Sequence, residues 1–426
     1  MSLLTELPGL PAPHPGRVAP HRMRVVDGKV LAVSEPGHWA FLTPAEYADY
    51  LRGLEDSHPR FDELRVKGFL GHYMEFDGLA ADAMEGSLLS WEGTRTHVVL
   101  LERDGKTMSP DMLREVVDFA FTVPGPAVVL ELVCEDPEAI WKTACFGARY
   151  ARRRSEWNGR RSRLWLRTPV LPKKAEPGLG VRLVLDAEAA PRLKAVPPQD
   201  PPPRALLRWS PGAERPAAWA AALRKAGCGS VLLSPEDVRV VDEAPEFAAF
   251  YAAFLDALLA DGPPLREEWA AAALRRLPPE NGRPREERGA PPAGVDVAGE
   301  LCFTPWGELL SSERALGLPA DDRALYSLGA VGHTAYEELP GKDAVRALLA
   351  AAEGDHHPLC TLCAYKNACV VAPSRHAALQ GRFWGHLPTS PACRAQMAAL
   401  DVLFARLADE PRRETLLGWA DNWTLL

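Results

Sequence analysis

The sequence predicts an α/β fold, in which a parallel sheet with crossover helices forms a partial or full (β/α) barrel. A small α+β module is expected before the barrel and a cysteine-bearing domain after it. Three observations carry this reading. Short apolar runs alternate with helical stripes over residues 93–277, hairpin signals crowd into residues 21–42, and four cysteines gather between 360 and 393. At 426 residues the chain also exceeds one ordinary core, so two or three domains are expected.

Residues 1–20 are proline-rich and read as a flexible arm. A small module is assigned to 21–92. Its β-like runs Met23-Arg-Val-Val, Lys29-Val-Leu-Ala-Val and Trp39-Ala-Phe-Leu are separated by Asp27-Gly28 and Pro36-Gly37, both hairpin signals. Thr43-Pro44-Ala-Glu46 supplies a helix cap, a first-turn proline and the glutamate of a capping box. Tyr47, Tyr50, Leu51 and Leu54 then form a helical stripe, and a second helix is expected to carry Phe61, Leu64 and Val66.

The barrel is assigned to 93–277. Val98–Leu101 reads as a buried strand, Pro110–Phe121 as a helix, Ala127–Val133 as a strand and Pro137–Arg152 as a helix. Strands follow at Arg163–Leu166, Val181–Leu185, Ala205–Trp209 and Ser230–Leu233, with a helix around Trp219 and Leu223. Phe247–Leu259 and Leu265–Leu277 read as helices. Residues 278–298 are charged and rich in breakers, a linker pattern. The cysteine domain spans 299–426 and ends in a helix from about Arg394 to Leu407.

Apolar residues make up 47% of the chain and charged residues 25%, with a net charge of −8. No basic surface argues for nucleic acid or an anionic membrane. The N-terminus has no secretory pattern and no apolar run is long enough to span a bilayer. A cytoplasmic protein with reduced thiols is therefore expected.

Among eight cysteines, Cys360 and Cys363 form a C-x-x-C, Cys369 follows, and Cys393 lies beyond a loop. Four thiolates so spaced suit a tetrahedral zinc or one iron–sulfur cluster, because a C-x-x-C turn can present both sulfurs to one centre. Isolated cysteines are usually small core hydrophobes, which does not account for the clustering.

These cysteines belong to a longer pattern: Cys360-x-x-Cys363-Ala-Tyr-Lys-x-x-Cys369, then Gly385-His386-x-Pro388-Thr389-Ser390-x-x-Cys393. It resembles the C-terminal auxiliary-cluster (SPASM) domain of radical SAM peptide maturases, closest to those of the His-Xaa-Ser peptide system. Gly28-Lys-Val-Leu, Phe41-Leu-Thr-Pro, Met108-Ser-Pro, Val117-Asp-Phe-Ala-Phe and Trp306-Gly-Glu agree in order. The resemblance spans about 21–420 and is specific in the last 70 residues or so. It implies a radical SAM-type barrel, and it implies [4Fe–4S] rather than zinc at Cys360, Cys363, Cys369 and Cys393.

The departures decide the functional expectation. Such enzymes carry C-x-x-x-C-x-x-C after the first barrel strand, whereas here Val98–Leu101 runs into Glu102-Arg-Asp-Gly-Lys-Thr-Met108. Their Gly-Gly-Glu-Pro turn, which meets the cofactor's amino group, is replaced by Cys134-Glu135-Asp136-Pro137. Another cluster of the pattern has also lost ligands: Cys302 remains, but Ser312 and Ala372-Pro373 stand where others would fall. The resemblance thus implies a pseudoenzyme that binds no S-adenosylmethionine. Its partners would be a precursor peptide, an active maturase, or both, in ribosomal peptide modification. An enzyme with other chemistry in the same barrel and a structural iron–sulfur or zinc protein are the alternatives.

The remaining candidates have plainer readings. His356-His357 is expected to be a surface turn rather than extra ligands. Cys134 reads as a thiol at a strand end and Cys145 as core. Arg152–Arg154 with Arg160 and Arg161 reads as a solvated helix end, and Trp419-Ala-Asp-Asn-Trp as a docked tail. The cavity at the strand ends either holds a peptide or is filled by side chains such as Glu135 and Trp165.

Overall fold

From residue 96 to 267, each described strand of the main sheet lies parallel to the one before it in sequence. A computed structural model describes residues 9–75, 77, 93–125, 127–186, 188–190, 193, 201–260, 262, 264–278 and 296–421. The strands are β4 (Thr96–Leu100), β5 (Ala127–Val133), β6 (Arg161–Thr168), β7 (Leu179–Leu185), β8 (Arg204–Leu207), β9 (Ser230–Leu233) and β10 (Arg266–Glu267). On the other side of β4 the parallel β11 (Glu300–Phe303) pairs with it, followed by the antiparallel β12 (Glu308–Leu310) and β13 (Ser327–Ala330). The order β10-β9-β8-β7-β6-β5-β4-β11-β12-β13 is open. The alternation therefore yields the parallel sheet, without a closed ring among the described residues.

Register gives the sheet two unlike faces. Val99, Leu132, Leu166, Val181, Ala205 and Val231 lie on one face and are buried. Helices cover it: at Gly147 of α4 (Pro137–Asn158) an added Cβ would touch Leu113 of α3 (Pro110–Thr122) and then Leu132. Further helices are α5 (Pro216–Lys225), α6 (Ala244–Leu259) and α7 (Glu268–Arg275). On the opposite face Cys302, Val98, Glu131, Trp165 and Gly180 form one register row. Arg167, Arg182, Arg204, Ser230 and Arg266 form the next.

The N-terminal hairpins appear as an antiparallel sheet of β1 (His21–Val26), β2 (Lys29–Ser34) and β3 (Trp39–Leu42). Thr43 caps α1 (Pro44–Arg52) with a complete capping box, and Tyr47, Tyr50 and Leu51 are buried. In α2 (Phe61–Val66) Phe61 and Leu64 are buried, but Val66 is 75% exposed. The helix ends there, so Val66 never turns back onto the stripe. Ala19, in the stretch read as an arm, is buried and donates to the Phe69 carbonyl at 2.9 Å.

In the last third lie α8 (Asp343–Ala352), α9 (Pro373–Gln380), α10 (Pro391–Leu407) and α11 (Glu410–Asp421). The Arg406 guanidinium pairs with Asp256 of α6 (Nη2–Oδ2 2.7 Å), fixing α10 against that helix. Trp39, Leu223, Phe247, Tyr365, Phe404 and Trp419 share one core cluster. Trp423 and residues 279–295 of the linker fall outside the described residues. No helix among the described residues is long and apolar enough to cross a membrane.

Several boundaries differ from the sequence reading, and two of them have a clear local cause. Helix α4 continues past Arg152 to Asn158, because nothing breaks it before Gly159, whose left-handed φ of 65° terminates it. The helix expected from Leu265 begins only at Glu268, because Arg266–Glu267 joins the sheet edge. The Glu267 side chain then caps the Trp269 and Ala270 amides. Replacing Thr43 by Ala should lower stability by about 1 kcal/mol, the usual value of an N-cap. Urea unfolding would reveal it as a shifted midpoint with an unchanged slope.

Candidate functional site

The four cysteines of the motif come together where the last third of the chain meets the rest. Tight turns fold the loop: Cys363 N donates to Cys360 O (3.0 Å), Lys366 N to Cys363 O (3.1 Å) and Cys369 N to Tyr365 O (2.8 Å). Cys393 is set in the first turn of α10, its amide held by the Ser390 hydroxyl at 3.3 Å. All four thiols are half-buried and free. They lie near enough for charge on one to act on others: Cys369 is influenced by Cys393, Cys363 and Cys360, and Cys360 by Cys393 and Cys363.

Burial first, and then the neighbouring thiols, pushes Cys360 up to about 12 and Cys393 to about 11. Cys363 is raised by burial although the Tyr365 amide, Arg24 and Arg22 favour its thiolate. A bound cation removes such mutual repulsion, since metal ligation and thiol deprotonation are linked. The donor chemistry fits zinc or an iron–sulfur cluster: four soft sulfurs, a C-x-x-C turn and an amide directed at sulfur. The sulfurs are gathered rather than closed on one point. Among the described residues no group of three or more His, Cys, Asp and Glu is arranged to hold a metal ion.

His357 is only 3% exposed, contrary to the expected surface turn. Its Nε2 bonds the Ala351 carbonyl at 2.8 Å and His356 Nδ1 bonds Ala350 O at 2.7 Å, so both satisfy carbonyls left open at the end of α8. Three members of the arginine run are also engaged. Arg152 bonds Pro177 O, Arg154 pairs with Asp118 at 2.9 Å, and Arg160 bonds Phe121 O at 2.9 Å.

Around Ser312, polar groups bond to one another. Ser312 Oγ donates to Glu300, and the Glu313 amide donates to the same Glu300 Oε1 at 3.1 Å. Buried Asp296 accepts from Ser311 Oγ (3.2 Å) and the Ser374 amide (3.0 Å). Cys302 is buried, and burial raises its thiol well above the ordinary value.

At the end of β5, the Glu102 carboxylate accepts from the amides of Glu135 (2.7 Å) and Asp136 (3.0 Å). Asp136 caps α4. Burial pushes the Cys134 thiol up to about 12, which leaves no thiolate at neutral pH. Glu135 is exposed and fills nothing. It is held outward as part of the capped turn.

The sheet face opposite the helices instead carries an ion ladder. Glu313 pairs with Arg167, and Arg167 Nη1 reaches Glu131 Oε2 at 3.5 Å. Arg182 bridges Glu131 (3.0 Å) and Glu268 (2.9 Å), and Ser230 Oγ donates to Glu268 at 2.5 Å. Burial alone would raise the Glu268 carboxyl, but Arg182 and Arg204 outweigh it and hold it below its usual value. Trp165 lies on this face as expected. Arg204 stacks 4.0 Å from its ring centre, and a Cβ at Gly180 would stand 2.4 Å from the indole. Helix α9 reaches over the strand ends, where Arg375 Nη2 donates to Pro235 O at 2.7 Å.

No family model matches the chain, and no curated protein matches it. Among solved structures it is similar to native anSMEcpe with bound AdoMet, at 10% identity and TM-score 0.47 over 75% of this chain and 100% of that one. The same protein with bound AdoMet and the Cp18Cys peptide gives 10% identity and TM-score 0.47, over 75% and 99%. SuiB of Streptococcus suis is 10% identical, with TM-score 0.33 over 85% of this chain and 95% of that one. Residue roles are therefore read from this chain alone.

Arg182→Met strips the shared cation from two buried carboxylates. It should destabilise the fold by on the order of 3–5 kcal/mol, the usual cost of breaking a buried pair. Thermal and urea unfolding check this, and the same substitution at exposed Arg153 should change little.

Proposed function

We propose that this chain is a non-catalytic radical SAM/SPASM homologue, an accessory protein in ribosomal peptide modification that docks by its surface on an active maturase or on its precursor peptide. The observation that carries this reading is the ladder from Glu313 through Arg167, Glu131 and Arg182 to Glu268 across the sheet face opposite the helices. Side chains of the chain itself stand where the resemblance implies cofactor and peptide would enter. The turn at Glu135 and Asp136, already bonded to Glu102, supports it further. Purification with a maturase encoded beside it should yield a stable complex or a changed turnover. A chain that stays alone on sizing and alters no turnover would sink the accessory role.

Cys360, Cys363, Cys369 and Cys393 are proposed to hold one [4Fe–4S] cluster, with structural zinc as the competing occupant. What supports this is the presence of three half-buried thiols on one turn-rich loop and a fourth in the first turn of α10, near enough to influence one another. Bound there, the metal would supply folding free energy to the last third of the chain. Anaerobically purified protein should be brown, with about four irons per chain. Colourless protein with one zinc would keep the ligands and overturn the cluster.

S-adenosylmethionine is expected not to bind, since the cysteine motif and the glycine turn are both replaced. Titration calorimetry of the anaerobically purified chain should register no binding heat. Micromolar affinity would overturn the pseudoenzyme reading.

A further inference from the structure

The loop between Cys363 and Cys369 is gripped from two sides by arginines distant in sequence. From β1, Arg22 is 4% exposed, pairs with Glu35, and donates to Asn367 Oδ1 at 2.7 Å. Arg24, on the same face of β1, makes a two-point pair with Asp401, with Nη2–Oδ2 at 2.6 Å. Its guanidinium also stands 5.3 Å from the centre of the Tyr365 ring, and Tyr365 donates to the same Asp401 at 2.7 Å. Gly37 (φ 93°) lies so close that a Cβ there would be 2.8 Å from Asn367 Nδ2. From the barrel side, Arg276 Nε donates to Ala368 O at 3.1 Å.

Tyr365, Asn367 and Ala368 all belong to the cysteine loop, so the guanidinium groups of Arg22, Arg24 and Arg276 are anchored on the segment that carries Cys363 and Cys369. Four thiolates around zinc or around a [4Fe–4S] core leave a centre of about two net negative charges. Cations held on its rim by their own hydrogen bonds stabilise that charge, more strongly where burial lowers the dielectric.

We propose that Arg22 and Arg24 couple the thiolate centre to the N-terminal sheet, so that a bound metal holds β1–β3 against the cysteine loop and the docked sheet retards metal loss. This rests on the reading that the four cysteines hold a metal. Coupling of two equilibria is reciprocal, so the two effects must appear together. In the absence of metal the loop loses its anionic centre, and the arginines keep only Asp401, Asn367 and Glu35.

Metal content of the purified full chain is measured first, and it tests the ligand reading alone. Hydrogen exchange of residues 21–42 is then followed with metal bound and after anaerobic chelation. Exchange in that segment should rise on the order of tenfold on metal removal, within the usual range of coupling energies. Arg24→Met should release metal to chelator faster by a similar factor, with partial rescue by Arg24→Lys. Asn367→Ala, which removes the contact of Arg22 but keeps both charges, reads the same coupling should Arg24→Met fail to fold. Arg60→Met deletes contacts that all lie inside the module, the bond to Phe41 O and the pairs with Glu63 and Glu46, so it should leave metal release unchanged. Unaltered exchange in 21–42, together with parental release rates in Arg24→Met and Asn367→Ala, overturns the coupling and leaves the ligand reading intact. A chain carrying neither iron nor zinc overturns the ligand reading, and the coupling falls with it.

Discussion

Two buried carboxylates, Glu131 on the sheet face opposite the helices and Glu268 at the start of α7, share the guanidinium of Arg182. A buried charge without a partner costs several kcal/mol, so this sharing constrains everything around it. Strand β7 must keep Arg182 in register with Arg167 and Arg204, and α7 must begin at Glu268. Segment 312–314 must lie near enough for Glu313 to cap the ladder at Arg167. The ladder therefore ties the parallel strands to the last third of the chain. An apolar filling of the same volume would pack as well but would not specify which segment covers the face.

The cysteine loop performs a similar joining role. Arg22 and Arg24 approach it from the N-terminal sheet and Arg276 from the barrel helices. Trp39, Phe404 and Tyr365 continue the junction in apolar contact, with Trp39 and Phe404 edge to face at 6.0 Å between ring centres. The pieces separated by sequence composition are thus packed on one another through both charge and aromatic surface.

Much of the fold was legible because its signals are local. Alternation of apolar runs and helical stripes located the parallel strands, and Thr43–Glu46 announced its capping box outright. The spacing of three cysteines with a fourth beyond a loop led to the expectation of a four-thiolate site, whereas among the described residues no such group is arranged to hold a metal ion. What was not legible depends on contacts between distant residues. Val66 looked apolar enough for a stripe, yet the helix ends with it; His357 looked like a polar turn, yet it closes α8. The ladder did leave a trace in the sequence. Glu131, Arg163, Arg167, Arg182 and Arg204 interrupt strands that otherwise read as apolar, at two-residue phase with Trp165 and Gly180. Charges at one parity in several consecutive strands mark a shared polar face. No single strand reveals their pairing, because each partner lies on another element.

The grip of β1 on the cysteine loop also sets an order of events during synthesis. Arg22 and Asn367 are 345 residues apart, and Arg24 and Asp401 are 377 apart. The hairpins of residues 21–42 can form as soon as they leave the ribosome, since their pairing is local. Their face toward Tyr365 and Phe404 must then wait while more than three hundred residues are added, at roughly 5–20 residues per second. For that interval of tens of seconds the aromatic ring of Trp39 and two arginines stand without their native cover. The N-terminal sheet, first to be made, is among the last parts to be seated, and a nascent chain stalled before residue 365 presents this face to whatever binds unfinished proteins.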